Sequence, residues 1–124
     1  MNLLAIDYGS KRIGLAISVL GIITPITPIQ NDDQKFNSLK NIIDQYKIEK
    51  IFVGISEGEF AKTTQKFVDQ LRNMIRCDIE TVEEAVSTIE ADQIFLDNNK
   101  KKKNYKKLID SISAAVILRR VNTY

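Results

Sequence analysis

Three apolar runs open the chain with almost nothing between them: residues 2–7, 12–19 and 21–29. A crossover between parallel strands needs a dozen or more residues. The connections here, residues 8–11 and a tight turn at Leu20-Gly21, are far shorter, so the chain must begin as antiparallel hairpins. Pro25 and Pro28 remove two ladder donors from the third run, which assigns it to a sheet edge.

The remainder alternates helical and strand patterns. Asn31, Asp32 and Asp33 are candidate N-caps for a helix whose apolar positions, Phe36, Leu39, Ile42, Ile43 and Tyr46, recur at spacings of three and four. KIFVGI (50–55) is apolar throughout, as an inner strand covered on both faces would be. A second helical stripe follows at Phe60, Phe67, Val68, Leu71 and Met74. DIETVEE (78–84) alternates as a fifth strand, with Ile79, Thr81 and Glu83 on one side and Glu80, Val82 and Glu84 on the other. Ser87-Thr88-Ile89-Glu90 has capping-box spacing, which predicts a helix starting at Ser87. NNKKKKN (98–104) reads as a polar loop. A last helix, roughly 105–121, carries its stripe at Tyr105, Leu108, Ile109, Ile112, Val116 and Ile117. With no internal repeat and no linker, residues 1–124 are expected to form one α/β domain: a five-stranded mixed sheet flanked by helices.

On such a sheet ligands gather where strands end. Asp7 ends the first strand, and Glu83 and Glu84 end the fifth. If strands one, four and five are parallel neighbours, these acids meet at one sheet edge, and Asp110 on the last helix could join them. Clustered carboxylates need a cation. Oxygen-only ligands favour magnesium or manganese, and two such ions can activate water and stabilise the leaving oxygen of a phosphodiester. The chain has no histidine, which excludes Ser-His-Asp and Cys-His schemes and most zinc enzymes. Each acid has a plainer reading as well: Asp7 as a turn former, Glu83 and Glu84 as a solvated strand end, Asp110 as a helix-surface charge.

Charge is unevenly spread. Residues 100–124 hold eight of the 18 basic side chains and a single acid, Asp110, and carry +7 where residues 1–99 carry −5. Lys100, Lys101, Lys102, Lys103, Lys106 and Lys107 form a run suited to a nucleic-acid backbone, or simply to a solvated loop. Lys11 and Arg12 add two cations beside Asp7. Tyr8 reads as packing, and Cys77, the only cysteine, as a small apolar filler at the start of strand five. No disulfide is possible within the chain, and no stretch has the length of a signal peptide or a membrane span, so a cytoplasmic protein is expected.

AIDYGSKRIGLAIS, IFVGI, SEGEFAKTTQKFV, TVEEAVSTIEA and IDSISAAVIL together resemble the successive motifs of the YqgF family, over nearly the whole chain. Its members are similar to Holliday junction resolvases of the RuvC type. The resemblance implies a ribonuclease H-like fold and a nuclease that matures the 5′ end of the small-subunit ribosomal RNA precursor, with a junction resolvase as the alternative. It implies Asp7, Glu84 and Asp110 as catalytic metal ligands, Glu83 as the alternate, and magnesium or manganese, two ions, as cofactor. Ser87 and Thr88, at the family's helix start, join the lysines, Lys11 and Arg12 as nucleic-acid contacts. The implied partners are structured RNA or branched DNA and ribosome precursor particles, with no membrane, for a monomer or weak homodimer. Three positions depart from the family pattern. Ala85 stands where arginine is usual, Val19 where aspartate is frequent, and the loop between Ile55 and Ser56-Glu57-Gly58 is short.

Two rivals share the opening motif. Actin-like ATPases and sugar kinases use a similar Asp-x-Gly-Ser turn, but they need two such domains around the nucleotide. A non-catalytic nucleic-acid-binding module of the same fold would suit Ala85 and the trimmed loop.

Overall fold

A computed structural model describes residues 1–55, 58–83 and 102–121, the first nine of the last segment by backbone alone. The strands are β1 (Leu3–Tyr8), β2 (Arg12–Val19), β3 (Ile22–Gln30), β4 (Lys50–Ile55) and β5 (Asp78–Glu83). The helices are α1 (Lys35–Tyr46), α2 (Phe60–Met74) and α3 (Lys102–Val121). The sheet order is β3-β2-β1-β4-β5, with β1–β2 and β2–β3 antiparallel and β1–β4 and β4–β5 parallel. The hairpin opening, the edge position of the proline strand and the parallel trio all follow the sequence pattern.

Strand alternation divides the core between two faces. Leu4, Ile6, Ile13, Leu15, Ile51, Val53 and Ile79 bury one face against Leu39 and Ile43 of α1 and Phe67, Val68 and Leu71 of α2. Ala5, Ala16 and Phe52 bury the other against Ile112, Ala115 and Val116 of α3. Ala5 and Ala16 stand opposite one another, and such small residues let α3 lie close to the sheet.

Several local expectations change. The N-cap position of α1 is Gln34, and no side chain caps it. Asp32 instead accepts the Gln34 N–H at 2.9 Å, while Asn31 turns back to the β1–β2 turn. Met74 is 42 % exposed, and Thr64 takes its place on the buried stripe of α2. The lysine run is partly helical: α3 begins at Lys102, within the expected loop, because lysine is a good helix former and nothing in the run breaks a helix. The helix expected from Ser87 lies outside the described residues. Among the described residues no helix is long and apolar enough to cross a membrane.

Candidate active site at the strand ends

Asp7 is the next-to-last residue of β1, half-buried, on the same face as Ala5. The register sets Gly14 of β2 on one side of it and Gly54 of β4 on the other. Residues directly opposite in a sheet share a face, so neither neighbour brings a Cβ beside the carboxylate. The backbone thus leaves lateral room at the one acid that ends a central strand, on the face covered by α3.

The turn that follows is tightly held. Asn31 Nδ2 donates to the Gly9 carbonyl at 2.8 Å, the Asn31 N–H donates to the Lys11 carbonyl at 2.9 Å, and the Tyr8 hydroxyl donates to Asn31 Oδ1 at 3.4 Å. Asn31 is therefore a brace for the Asp7 edge. Its position ahead of α1 is equally that of a helix cap, and no local pattern distinguishes the two roles. Gly9 is required by close approach: a Cβ built there would collide with the backbone carbonyl oxygen of Arg12. Gly9→Ala must therefore shift the turn, and a loss of about 1–3 kcal/mol is expected, as for overpacked sites. A urea titration checks it; an unchanged midpoint would mean that the turn yields freely.

Tyr8 points to the opposite face from Asp7. Its ring stacks on Phe67 at a centroid distance of 4.3 Å and on Phe60 at 5.8 Å, and Phe36 stacks on Phe67 at 5.7 Å. This aromatic stack is the apolar footing under the strand end that carries Asp7, in keeping with a packing role for Tyr8.

Glu83 ends β5 opposite Ile55 and is exposed. It shares the face of Ile79 and Thr81, which is the α1–α2 face and not that of Asp7. Strand alternation thus turns the alternate ligand away from Asp7. Glu84, Ser87, Thr88, Lys100 and Lys101 lie outside the described residues. For Asp110, Lys102, Lys103, Lys106 and Lys107 the structure describes the helical backbone of α3 alone. Lys11 and Arg12 are exposed where β2 begins. Among the described residues no three His, Cys, Asp or Glu side chains gather as a metal site.

Lys102 and Lys103 occupy the first turn of α3, where the helix dipole is already positive. No acid stands in that turn, whereas Arg119 and Arg120 in the last turn complement the negative end. Cations at a helix N-terminus oppose the dipole, so this end concentrates positive charge at some cost to the helix.

A cleft of about 580 Å³ lies at the other end of the sheet, lined by Lys40, Asp44, Lys47, Met74, Arg76 and Cys77 among others. Two of its cations, Lys47 and Arg76, follow the C-terminal ends of α1 and α2, where they complement the helix dipoles, and Lys40 stands mid-way along α1. The Cys77 thiol donates to the Ile48 carbonyl at 3.2 Å, and burial pushes its pKa up, so it is not a poised nucleophile. This cleft lies at the opposite end of the sheet from Asp7.

A profile of the RuvX family, described as Holliday junction resolvase, matches residues 1–121. A protein of Sulfurihydrogenibium sp. strain YO3AOP1, provisionally named pre-16S rRNA nuclease, is 41% identical over 94% of this chain and 86% of its own length. The fowlpox virus Holliday junction resolvase superposes with a TM-score of 0.65 at 14% identity, covering 99% of each chain. T. thermophilus RuvC, solved with a Holliday junction substrate, superposes with a TM-score of 0.52 at 11% identity, over 97% of this chain and 96% of its own. At these identities the structural likenesses speak for the fold, which is the ribonuclease H-like fold of the resolvases.

Proposed function

Because the chain belongs to the RuvX family, we propose that it is a metal-dependent nuclease that hydrolyses phosphodiester bonds at the Asp7 edge of its sheet. The observation that carries the reading is Asp7 itself: a carboxylate at the end of a central strand, with a glycine on each side. Its ligands to magnesium or manganese would be Asp7, Glu84 and Asp110. The orientation of Glu83 away from the Asp7 face favours Glu84 of the pair. The donor set fits a hard divalent cation, since the acids offer oxygen only and the chain has no histidine to draw in zinc. When bound, the ions supply an activated water and neutralise the leaving oxygen. The chain's own part is to hold carboxylates at a strand end with room beside them, and to draw the phosphate backbone in through Lys11, Arg12, Ser87, Thr88 and the lysine run from Lys100 to Lys107.

The substrate we infer is the precursor of the small-subunit ribosomal RNA, cleaved at its 5′ end in the cytoplasm on a ribosome precursor particle by a monomer or weak homodimer. The name of the Sulfurihydrogenibium relative supports this choice. The likeness to resolvases supports a second reading, cleavage of a four-way DNA junction. Purified protein with Mn²⁺, offered precursor RNA and a four-way junction in parallel, tests both. Faster RNA cleavage is expected. Preference for the junction would establish the second reading, and binding without cleavage of either would establish a non-catalytic module, the role suited to Ala85 and the short loop.

The lysine run makes a separate prediction. Replacing Lys100, Lys101, Lys102 and Lys103 by Ala should flatten the salt dependence of nucleic-acid binding by roughly 0.7–0.9 in the logarithmic slope for each phosphate no longer neutralised. At Lys102 and Lys103 alanine keeps the helix and removes cations that oppose its dipole, so stability should hold or rise. An unchanged slope would make the run a solvated surface.

A further inference from the structure

We propose that Ser111 is a positioning residue: its buried hydroxyl sets the height of α3 against the sheet, and thereby where residue 110 stands relative to Asp7. The inference rests on the assignment of Asp110 as a ligand under the proposed function. Ser111 is fully buried, and its Oγ accepts the backbone N–H of Leu15 at 3.1 Å, across 96 residues of sequence. This is a side chain of the covering helix bonded to the backbone of the sheet.

The place of the bond gives it meaning. The β2–β3 ladder runs from Ile13↔Ile29 to Leu15↔Ile26, so Thr27 and Pro28 stand against Gly14 alone. That is a β-bulge, and Pro28 can occupy it because a bulged residue owes no ladder hydrogen bond. Regular pairing is broken at this step, and the Leu15 N–H next to it goes to Ser111. Gly14, the residue at the bulge, is also the cross-strand neighbour of Asp7. Ser111 therefore ties α3 to the sheet one residue from the position opposite Asp7, and it is itself one residue from Asp110.

Among the described residues, the other fully buried side chains of α3 are apolar: Ile112, Ala114, Ala115, Val116, Ile117 and Leu118. Apolar attraction is non-directional, and aliphatic surfaces against Ala5 and Ala16 resist a slide along the helix axis only through shape. One residue of helix is a rise of about 1.5 Å, whereas a functional constellation must be held to within about 0.5 Å. A hydrogen bond satisfied at one height, with a buried amide orphaned at any other, supplies that precision. Ser111 does not itself reach substrate: it is fully buried, and its hydroxyl is already engaged.

The test measures Mn²⁺ binding by the shift in melting temperature, with amide exchange at Leu15 recorded alongside. Ser111→Ala should speed exchange at Leu15 and raise the Mn²⁺ concentration for half-maximal stabilisation by roughly 10-fold or more, the scale of losing a group that orients a metal ligand. KM for nucleic acid should stay at the wild-type value while kcat falls. Ser111→Cys, which keeps the volume but accepts weakly, should shift in the same direction by less, and serves if the alanine variant does not fold. Thr64→Ala removes another buried hydroxyl, one that serves α2 by donating to the Phe60 carbonyl. It should lower the melting temperature without moving the Mn²⁺ midpoint. A Ser111 variant that loses stability yet binds Mn²⁺ like wild type overturns the inference. Asp110→Asn keeps that failure apart from the failure of the ligand assignment. If Asp110→Asn also leaves Mn²⁺ binding unchanged, the assignment falls and the inference with it. If Asp110→Asn abolishes binding and Ser111→Ala does not alter it, the inference alone falls.

Discussion

Asp7→Asn is expected to abolish metal-dependent cleavage while leaving nucleic-acid binding close to wild type. The exchange is nearly isosteric, and Gly14 and Gly54 on either side leave the amide as much room as the carboxylate. What it removes is one negative charge at the centre of the proposed cation site. A drop of three orders of magnitude or more, about 4 kcal/mol in the barrier, is the expected scale. The measurement is single-turnover cleavage in saturating Mn²⁺, paired with a binding titration in its absence. Equal rates for wild type and variant would remove Asp7 from the chemistry and favour a binding module. A loss of binding equal to the loss of rate would instead mark Asp7 as a substrate-docking residue.

The largest expected effect on stability is at Phe67. It is almost fully buried in α2 and holds the stack that joins Phe36 of α1, Phe67 and Tyr8 of β1. Phe67→Ala removes a large apolar surface and leaves a cavity among rings that cannot collapse onto one another, so a loss of about 3–5 kcal/mol is expected. Because Tyr8 follows Asp7 directly in the chain, the void also lies beneath the strand end that carries the site. Urea unfolding should show the lowered midpoint with an unchanged slope. Activity measured well below the new midpoint should fall further than the folded fraction alone explains. Phe67→Leu, which refills most of the volume, should recover the greater part of both. A stability loss below about 1 kcal/mol would mean that the stack is not a structural footing.

Much of the architecture could be read along the chain because its causes are local. The short turn at Leu20-Gly21 admits only a hairpin, Pro25 and Pro28 demand an edge, and IFVGI, after Lys50, has no polar face to show to water. Where local reading strayed, a competing local rule was available. Met74 fits the apolar spacing of α2 but is its last residue, and the lysines look like a loop although lysine sustains a helix well. Asn31 next to Asp32 and Asp33 has every mark of a cap, and the structure uses it on a strand turn distant in sequence.

The sequence by itself determined the order of the described elements, the two periodicities, the absence of imidazole chemistry and the acid at the end of the first strand, since each depends on neighbours within a few residues. Tertiary structure alone decided that Gly14 and Gly54 flank Asp7, that Glu83 belongs to the opposite face, and that Ser111 meets the amide of Leu15. These are matters of strand register and helix height. A slip of one residue in a strand would reverse every face, and a small slide of α3 would separate Ser111 from its partner. Only the balance of packing over both faces of the sheet sets such quantities, and no segment carries that balance within itself.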